Sequence, residues 1–426
     1  MRHPREQRIS TRRGFLGQAG GVALGLSGIG AAASACANST SASSAPSGGL
    51  TGPGPGGLPL ARPDRRVTLP LYAGNPAITS GTAPERGATL QVYNWAAYMN
   101  QAVIADFEKA YDCKVAVTTF ATIDEGLAKI SARTTQFDVF FPTIDLIEEL
   151  VVGKLIQPLN HSYLPNLAAN IWPTLQSPYY DVDARYTVPY TIWTTGIAWR
   201  NDKLPNFRPN SMQNPYDIFW QSTGIAGRVG MLDDERDCMG MVLLRNGITD
   251  VNTEKSADLG LVQNQLLQLV QTTACRFDTL DYTDLPNGLT WVHQGWSGDI
   301  IGVPLYMPKG LSPDVISYWW PKNGRGLIGN DAIAVVEGAK SPVLAHLFLN
   351  HILDYKQSLL NMRFTGYQQP QIRQNPDQLV AEGLVRPAQK SCIAYESEFR
   401  NGYQAATLSV NGARLWENAW AAVKSS

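Results

Sequence analysis

A doubly wound α/β sheet that continues into a second lobe is what this 426-residue chain predicts. Three observations carry that prediction. From Leu90 onward, short apolar runs with strand character alternate with segments whose apolar residues fall at helical spacing. Phe137-Asp138-Val139-Phe140-Phe141-Pro142 is a nearly continuous apolar run, the mark of a central strand covered on both faces. A β-rich stretch from Tyr186 to Trp199, with Gly196 inside it, then leads from the first set of elements into a second.

Length and composition set the bounds. The chain is long enough for two domains plus tails, and 44% hydrophobic residues suffice for buried cores. Net charge is -1, but the first 35 residues hold five Arg and one Glu, so 30 basic and 35 acidic groups remain beyond them, net -5. A mildly acidic body argues against a nucleic-acid partner. The five cysteines, Cys36, Cys113, Cys238, Cys275 and Cys392, form no C-x-x-C and have no histidines at zinc spacing. Neither a metal nor another cofactor is expected.

The N-terminus reads as an address. Arg2, Arg5 and Arg8 precede Arg12-Arg13-Gly14-Phe15-Leu16, a Gly/Ala/Leu stretch, and then Ala33-Ser34-Ala35-Cys36, which is the basic, apolar, small order of an export signal. Arg12-Arg13 followed by Phe15-Leu16 resembles a twin-arginine signal. The small residues before Cys36 resemble a lipobox with Ala33 in place of its usual Leu, which makes residues 1–36 a lipoprotein signal and Cys36 the lipidated residue. The apolar part is too short and too rich in glycine to remain a membrane span. Residues 37–66, with Gly52-Pro53-Gly54-Pro55-Gly56-Gly57, are expected to be a flexible tether with too little apolar surface to fold.

The folded part follows in order. Val67 to Glu85 is punctuated by Pro and Gly and is expected to lie extended along the domain. Leu90 to Tyr93 is the first strand; Ala102, Val103, Ala105, Phe107 and Ala110 mark a helix, Cys113 to Thr119 alternates as a strand, and Ile123 to Thr134 is helical. After the central strand come Thr143-Ile144-Asp145 and a helix from Leu146 to Val152. Tyr216 to Trp220 is a short helix, Gly230 to Leu232 a strand, and Asp233 to Asp237 opens the next helix. Leu259 to Val270 is amphipathic, Trp291 to Ile301 is a strand-to-helix turn, and Gly329 to Val336 is again a strand. Helices are expected over Ala345 to Leu353, Gln357 to Phe364 and Tyr403 to Val423.

Carboxylates and aromatics recur where strands give way to helices, which is where α/β sheets hold ligands. Trp95 and Tyr98 end the first strand, Asp234 and Asp237 open a helix, Trp296 and Asp299 share one turn, and Asp331 enters a strand. Aromatic walls with several acids describe a pocket for an organic cation. Capping accounts for Asp233 at its helix start, and less well for the further charges in that turn. Asp145 is either a ligand-facing acid or the cap of the helix that follows it.

Taken in order, Tyr93-Asn94-Trp95-x-x-Tyr98, Asp233-Asp234-x-Arg236-Asp237, Trp296-Ser297-Gly298-Asp299, Asn330-Asp331 and Gly366-Tyr367 resemble the spermidine/putrescine-binding proteins of ABC importers, over about Leu90 to Val423. The resemblance implies a type II-like periplasmic-binding-protein fold, with two α/β lobes joined by a hinge of crossing strands. The first lobe would comprise 67–195 plus 331–378 and the second 196–330 plus 379–426. It implies that Trp95, Tyr98 and Tyr367 box the methylene chain of a polyamine, with Thr143 supplying a hydroxyl. Asp234 and Asp237 would take a terminal ammonium, Trp296 would stack, and Asp331 would serve an inner amine. An ABC permease partner, a membrane-anchored monomer and delivery of the ligand to the importer follow from the same resemblance. Two positions depart from the pattern: Asp145 stands for a tyrosine and Gly329 for a tryptophan. One wall is then expected to be absent and one acid added, giving a roomier, more anionic cleft for a bulkier polyamine or another cation.

Other functions are constrained by what is missing. There is no Gly-x-Ser-x-Gly, no phosphate-binding Gly-x-x-x-x-Gly-Lys loop and no His-Glu-x-x-His. Asp234 and Asp237, three residues apart on one helix, flank a group from one side, whereas a glycosidase needs its carboxylates across a bond. A receptor for a different small solute, and less so an exported hydrolase, are the alternatives. Cys238 and Cys275 fall in the same lobe, so a disulfide between them is left open.

Overall fold

The first strand, β1 (Thr89–Trp95), feeds two cores. Leu90 and Val92 join one apolar cluster while Tyr93 joins another. The central strand β3 (Val139–Phe140) alternates in the same way, with Val139 on the first side and Phe140 on the second. Burial on both faces is why the run 137–142 is apolar almost throughout. The computed structural model describes residues 52–426 except 121, 222 and 322. The export signal, Cys36 and the tether up to residue 51 lie outside the described residues.

Among the described residues ten strands form one sheet in the order β2-β1-β3-β10-β5-β8-β6-β7, with β4 against β10 and β9 against β5. Here β2 is Lys114–Phe120, β4 Ile156–Gln157, β5 Thr187–Arg200, β6 Val229–Leu232, β7 Arg276–Asp278, β8 Val292–Trp296, β9 Ile316–Trp319 and β10 Leu327–Val336. Strands β1, β2 and β3 are mutually parallel, as are β6, β7 and β8. Between these halves run the long strands β5 and β10, antiparallel to each other and shared by both. A third core, built from Met231, Val292, Trp416 and the helices Glu235–Arg245, Ser256–Thr273 and Val410–Lys424, covers the second half.

The β5–β10 pairing is interrupted beside Asp331. Asn330 faces Ile192 but Ala332 faces Pro189, so Tyr190 and Thr191 together oppose Asp331. Such a bulge re-aims side chains, and proline, which lacks a ladder donor, is tolerated next to it.

Two expectations are corrected. Residues 52–66 are not a free tether: Leu58, Leu60 and Ala61 are buried, and the Ala61 N–H donates to Glu148 Oε1 over 2.9 Å. The apolar partner comes from the helix Ile147–Val152, and Gly56, at φ +59°, seats the backbone where a Cβ would lie 2.7 Å from Val152 Cγ1. A composition argument sees only the segment's own apolar residues and misses that partner. The last helix begins at Val410, not Tyr403, because Ser409 Oγ accepts the Gly412 N–H over 3.0 Å and caps it there. Tyr403 instead pairs with the start of β10, and the short helix expected at Tyr216–Trp220 is present as the 3-10 helix Pro215–Trp220. Cys113, Cys238, Cys275 and Cys392 are buried free thiols, so Cys238 and Cys275 are unpaired with each other in this structure.

Candidate functional site

The site grows from the turn after β1. Ala97, at φ +54°, reverses the chain and places Tyr98 against the middle of the sheet. The Tyr98 hydroxyl donates to Asp331 Oδ2 over 2.8 Å and is bonded to the Thr191 hydroxyl, while Tyr190 donates to the Tyr98 carbonyl. Both donors come from the bulge. Thr143, half-buried, pairs through its backbone with Asp331 on the other side. Tyr190 and Tyr367 stand edge-on to the Tyr98 ring, at 5.1 and 5.4 Å. Tyr367 in turn lies on Gly298, where a Cβ would come within 2.4 Å of its ring, so two of the sequence motifs are packing partners.

Burial pushes Asp331 up to about 7; the Tyr98 hydroxyl pulls it down and the charge of Asp145 pushes it further up. Asp145 lies in the 3-10 turn Ile144–Leu146 and caps no helix; its carbonyl accepts the Thr407 hydroxyl over 2.9 Å. Of the two readings open for Asp145, the cap is excluded. Its charge also raises Asp234, so it acts on acids contributed by both halves of the sheet.

Asp234 is the N-cap of the helix Glu235–Arg245, accepting the Asp237 N–H over 2.8 Å. The cap expected at Asp233 is therefore one residue later, and Asp233 instead pairs with Lys424 at 2.7 Å. Burial raises Asp234 well above the usual carboxylate range, and Asp237 beside it adds to the shift. Burial raises Asp237 too, opposed first by Trp296, whose indole N–H donates to Oδ2 over 2.6 Å. Trp193 and Thr195 also favour the charged form of Asp237, the Thr195 hydroxyl from outside hydrogen-bond geometry. Next to this pair, Glu235 is pushed up to about 7 by burial, with Glu417, Asp145 and Asp124 adding to the rise against Arg236. Arg236 itself is turned away, over the Trp416 ring at 4.6 Å and onto the Ala406 carbonyl.

Trp95 is half-buried against Phe120, ring centroids 4.6 Å apart, and its indole N–H has no hydrogen-bond partner among the described residues. Asp299 is buried in the first turn of the helix Ser297–Gly302, just beyond Trp296. The structure thus draws Tyr98, Thr143, Asp331 and Tyr367 into one group and Asp234, Asp237 and Trp296 into another, with the charge of Asp145 acting on both.

Residues missed at the level of sequence lie on β5. Thr191 and Tyr190 fix Tyr98, and Trp193 fills the place expected to be empty at Gly329. Trp193 and Gly329 are paired across β5 and β10, and a Cβ on residue 329 would lie 2.7 Å from Trp193 Cζ2. The neighbouring strand thus lays an aromatic over the glycine. Strand alternation, with Trp193 and Thr195 on one face, was the signal available. Among the described residues no group of His, Cys, Asp and Glu could hold a metal ion.

Acids from both halves, lifted by burial and mutual repulsion among aromatic rings, are what a bound cation would relieve. The model of the bacterial extracellular solute-binding proteins matches residues 102–374, more than half of the chain. The chain belongs to that family. The putrescine-binding periplasmic protein PotF of Escherichia coli is 28% identical over 285 residues, 65% of this chain and 76% of its own length. The putrescine/agmatine-binding protein of Pseudomonas aeruginosa is 24% identical over 347 residues, 79% of this chain and 92% of its own. Among solved structures, the TpPotD lipoprotein of Treponema pallidum shares the fold with a TM-score of 0.66, at 21% identity, over 79% of this chain and 99% of its own. These family members are solute-binding proteins, so the hydrolase alternative is set aside and the two-lobed α/β expectation stands.

Proposed function

We propose that this family member captures a polyamine, a spermidine- or putrescine-like cation, between its two lobes and hands it to an ABC importer. The observation that carries the reading is the set of acids Asp145, Asp234 and Asp331, lifted above the normal carboxylate range at the two latter positions, with Tyr98 bonded to Asp331, Tyr367 against Tyr98 and Trp296 bonded to Asp237 beside Asp234. Burying an amine's charge is costly unless it is paired, and its methylene groups need apolar cover. Asp331 serves an inner amine and Asp234 with Asp145 an outer one. Trp95, Tyr98, Trp296 and Tyr367 cover the chain, with Thr143, Asp237 and Asp299 completing the site. The names of the relatives support this class of ligand.

The lobes are assigned as 67–195 plus 331–378 and 196–330 plus 379–426, turning about β5 and β10. Residues 1–36 are assigned as a twin-arginine lipoprotein signal, so that the monomer is held by Cys36 on the outer face of the cell membrane. Native mass spectrometry of protein purified without denaturation, followed by calorimetric titration with a polyamine panel, tests the ligand. A bound neutral or anionic solute, with no response to any amine, overturns the polyamine reading in favour of a different importer substrate. Replacing Arg12 and Arg13 by Lys is expected to trap the precursor inside the cell, and Cys36→Ala to release the exported protein. Cys36→Ala protein that stays membrane-bound refutes the anchor.

A further inference from the structure

Three strands of the sheet each have a single half-buried residue among otherwise buried ones: Trp193 in β5, Gly329 in β10 and Trp296 in β8. They are neighbours. Gly329 faces Trp193 directly, and Trp296 faces Thr195, two residues along β5 on the same side as Trp193. The sheet is therefore closed to solvent over these strands except at one patch, which a bare glycine and two indoles make up. Gly329 is bare because it must be: a Cβ there would sit 2.7 Å from Trp193 Cζ2 and 3.0 Å from Cε2, so the indole lies over the glycine backbone. The patch adjoins Asp237, which Trp296 holds by its indole N–H.

We propose that Trp193 is a ligand-contacting residue that sets which amines the cleft accepts, and that Trp193 and Gly329 act as an exchangeable pair. This rests on the polyamine reading above. An aromatic face at 193 stands on the neighbouring strand to one at 329, roughly 5 Å away across the sheet. The methylene chain of a linear amine lying on this patch meets the indole at that displaced position. Discrimination by chain length then depends on residue 193, not on residue 329.

The test is calorimetric titration of the full-length protein with linear diamines of three to six carbons and with spermidine, each variant being checked by thermal melting. Trp193→Ala is expected to lower affinity for the best amine about tenfold and to flatten the differences along the diamine series. Trp193→Phe, which keeps a ring and loses the indole N–H, is expected to retain the order of preference. Gly329→Trp is expected to abolish binding or folding in the parent, and to be tolerated, with binding restored and a shifted preferred length, together with Trp193→Gly. A folded Trp193→Ala variant with the parent's affinities and order overturns the proposal. So does a Trp193→Gly/Gly329→Trp pair no better than Gly329→Trp alone. A parent that binds none of these amines sinks the polyamine reading and this inference with it, whereas the other outcomes leave that reading intact.

Discussion

Tyr98 and Asp331 are 233 residues apart in the chain, and 2.8 Å separates their buried phenolic and carboxylate oxygens. The bond favours the charged carboxylate, yet burial wins and Asp331 stays near 7 without a cation. Its pKa is thus raised on folding, so its contribution to stability is full below the unfolded value near 4 and is lost as pH rises through about 7. Ligand-free protein is expected to gain stability from this group on going from pH 8 to pH 5. A bound cation reverses that order, and affinity falls by about tenfold per pH unit below 7 for each acid that must lose its proton. Melting curves and titrations at several pH values check both signs.

Tyr98→Phe removes the donor while keeping the ring against Tyr190 and Tyr367. Asp331 then rises further, so amine binding should weaken more at pH 7 than at pH 8.5. The stability cost, on the order of 1–3 kcal/mol for a lost buried partner, should be smallest at low pH, where Asp331 is protonated. A loss of affinity that is equal at both pH values would exclude this coupling.

Asp233 and Asp234 separate capping from charge. Asn caps about as well as Asp and has no charge to bury, so at pH 8 Asp234→Asn should melt no lower than the parent and still bind a diamine at least about tenfold more weakly. Asp233→Asn loses only the half-exposed pair with Lys424, worth less than about 1 kcal/mol, and should bind as the parent does. Equal affinity in both variants would remove Asp234 from the site.

Leu58→Ala distinguishes a packed segment from a tether. Leu58 is 2% exposed, so the substitution should cost on the order of 2–4 kcal/mol in chemical denaturation, where a residue in a free tether would cost nothing.

The first strands and helices were legible because periodicity is a local property. Leu90, Val92 and Val139 repeat in the spacing that their cores require. Trp95, Tyr98 and Asp331 were legible as site candidates because aromatics and acids at strand ends have few structural reasons to be there. Trp193 was not, since an aromatic in a β-rich run reads as core unless its cross-strand partner is known, and register is non-local. The same limit hid the seat of residues 52–66, whose partner helix lies about 90 positions downstream. Choosing between Asp233 and Asp234 as cap needed the dihedral angles of the turn itself.

Sharing β5 and β10 between both halves of the sheet has a mechanical consequence. If one half swings about these two strands, each atom travels in proportion to its lever arm. Trp193, Gly329 and Asp331 lie on the strands themselves, close to the fulcrum, and stay nearly still. Asp234, at the start of a helix beyond β6, travels furthest. On the polyamine reading, the centre of an elongated guest would then be seated on a stationary bed before its end is gripped, so that dwell time would depend on Asp234 and the choice of guest on the bed.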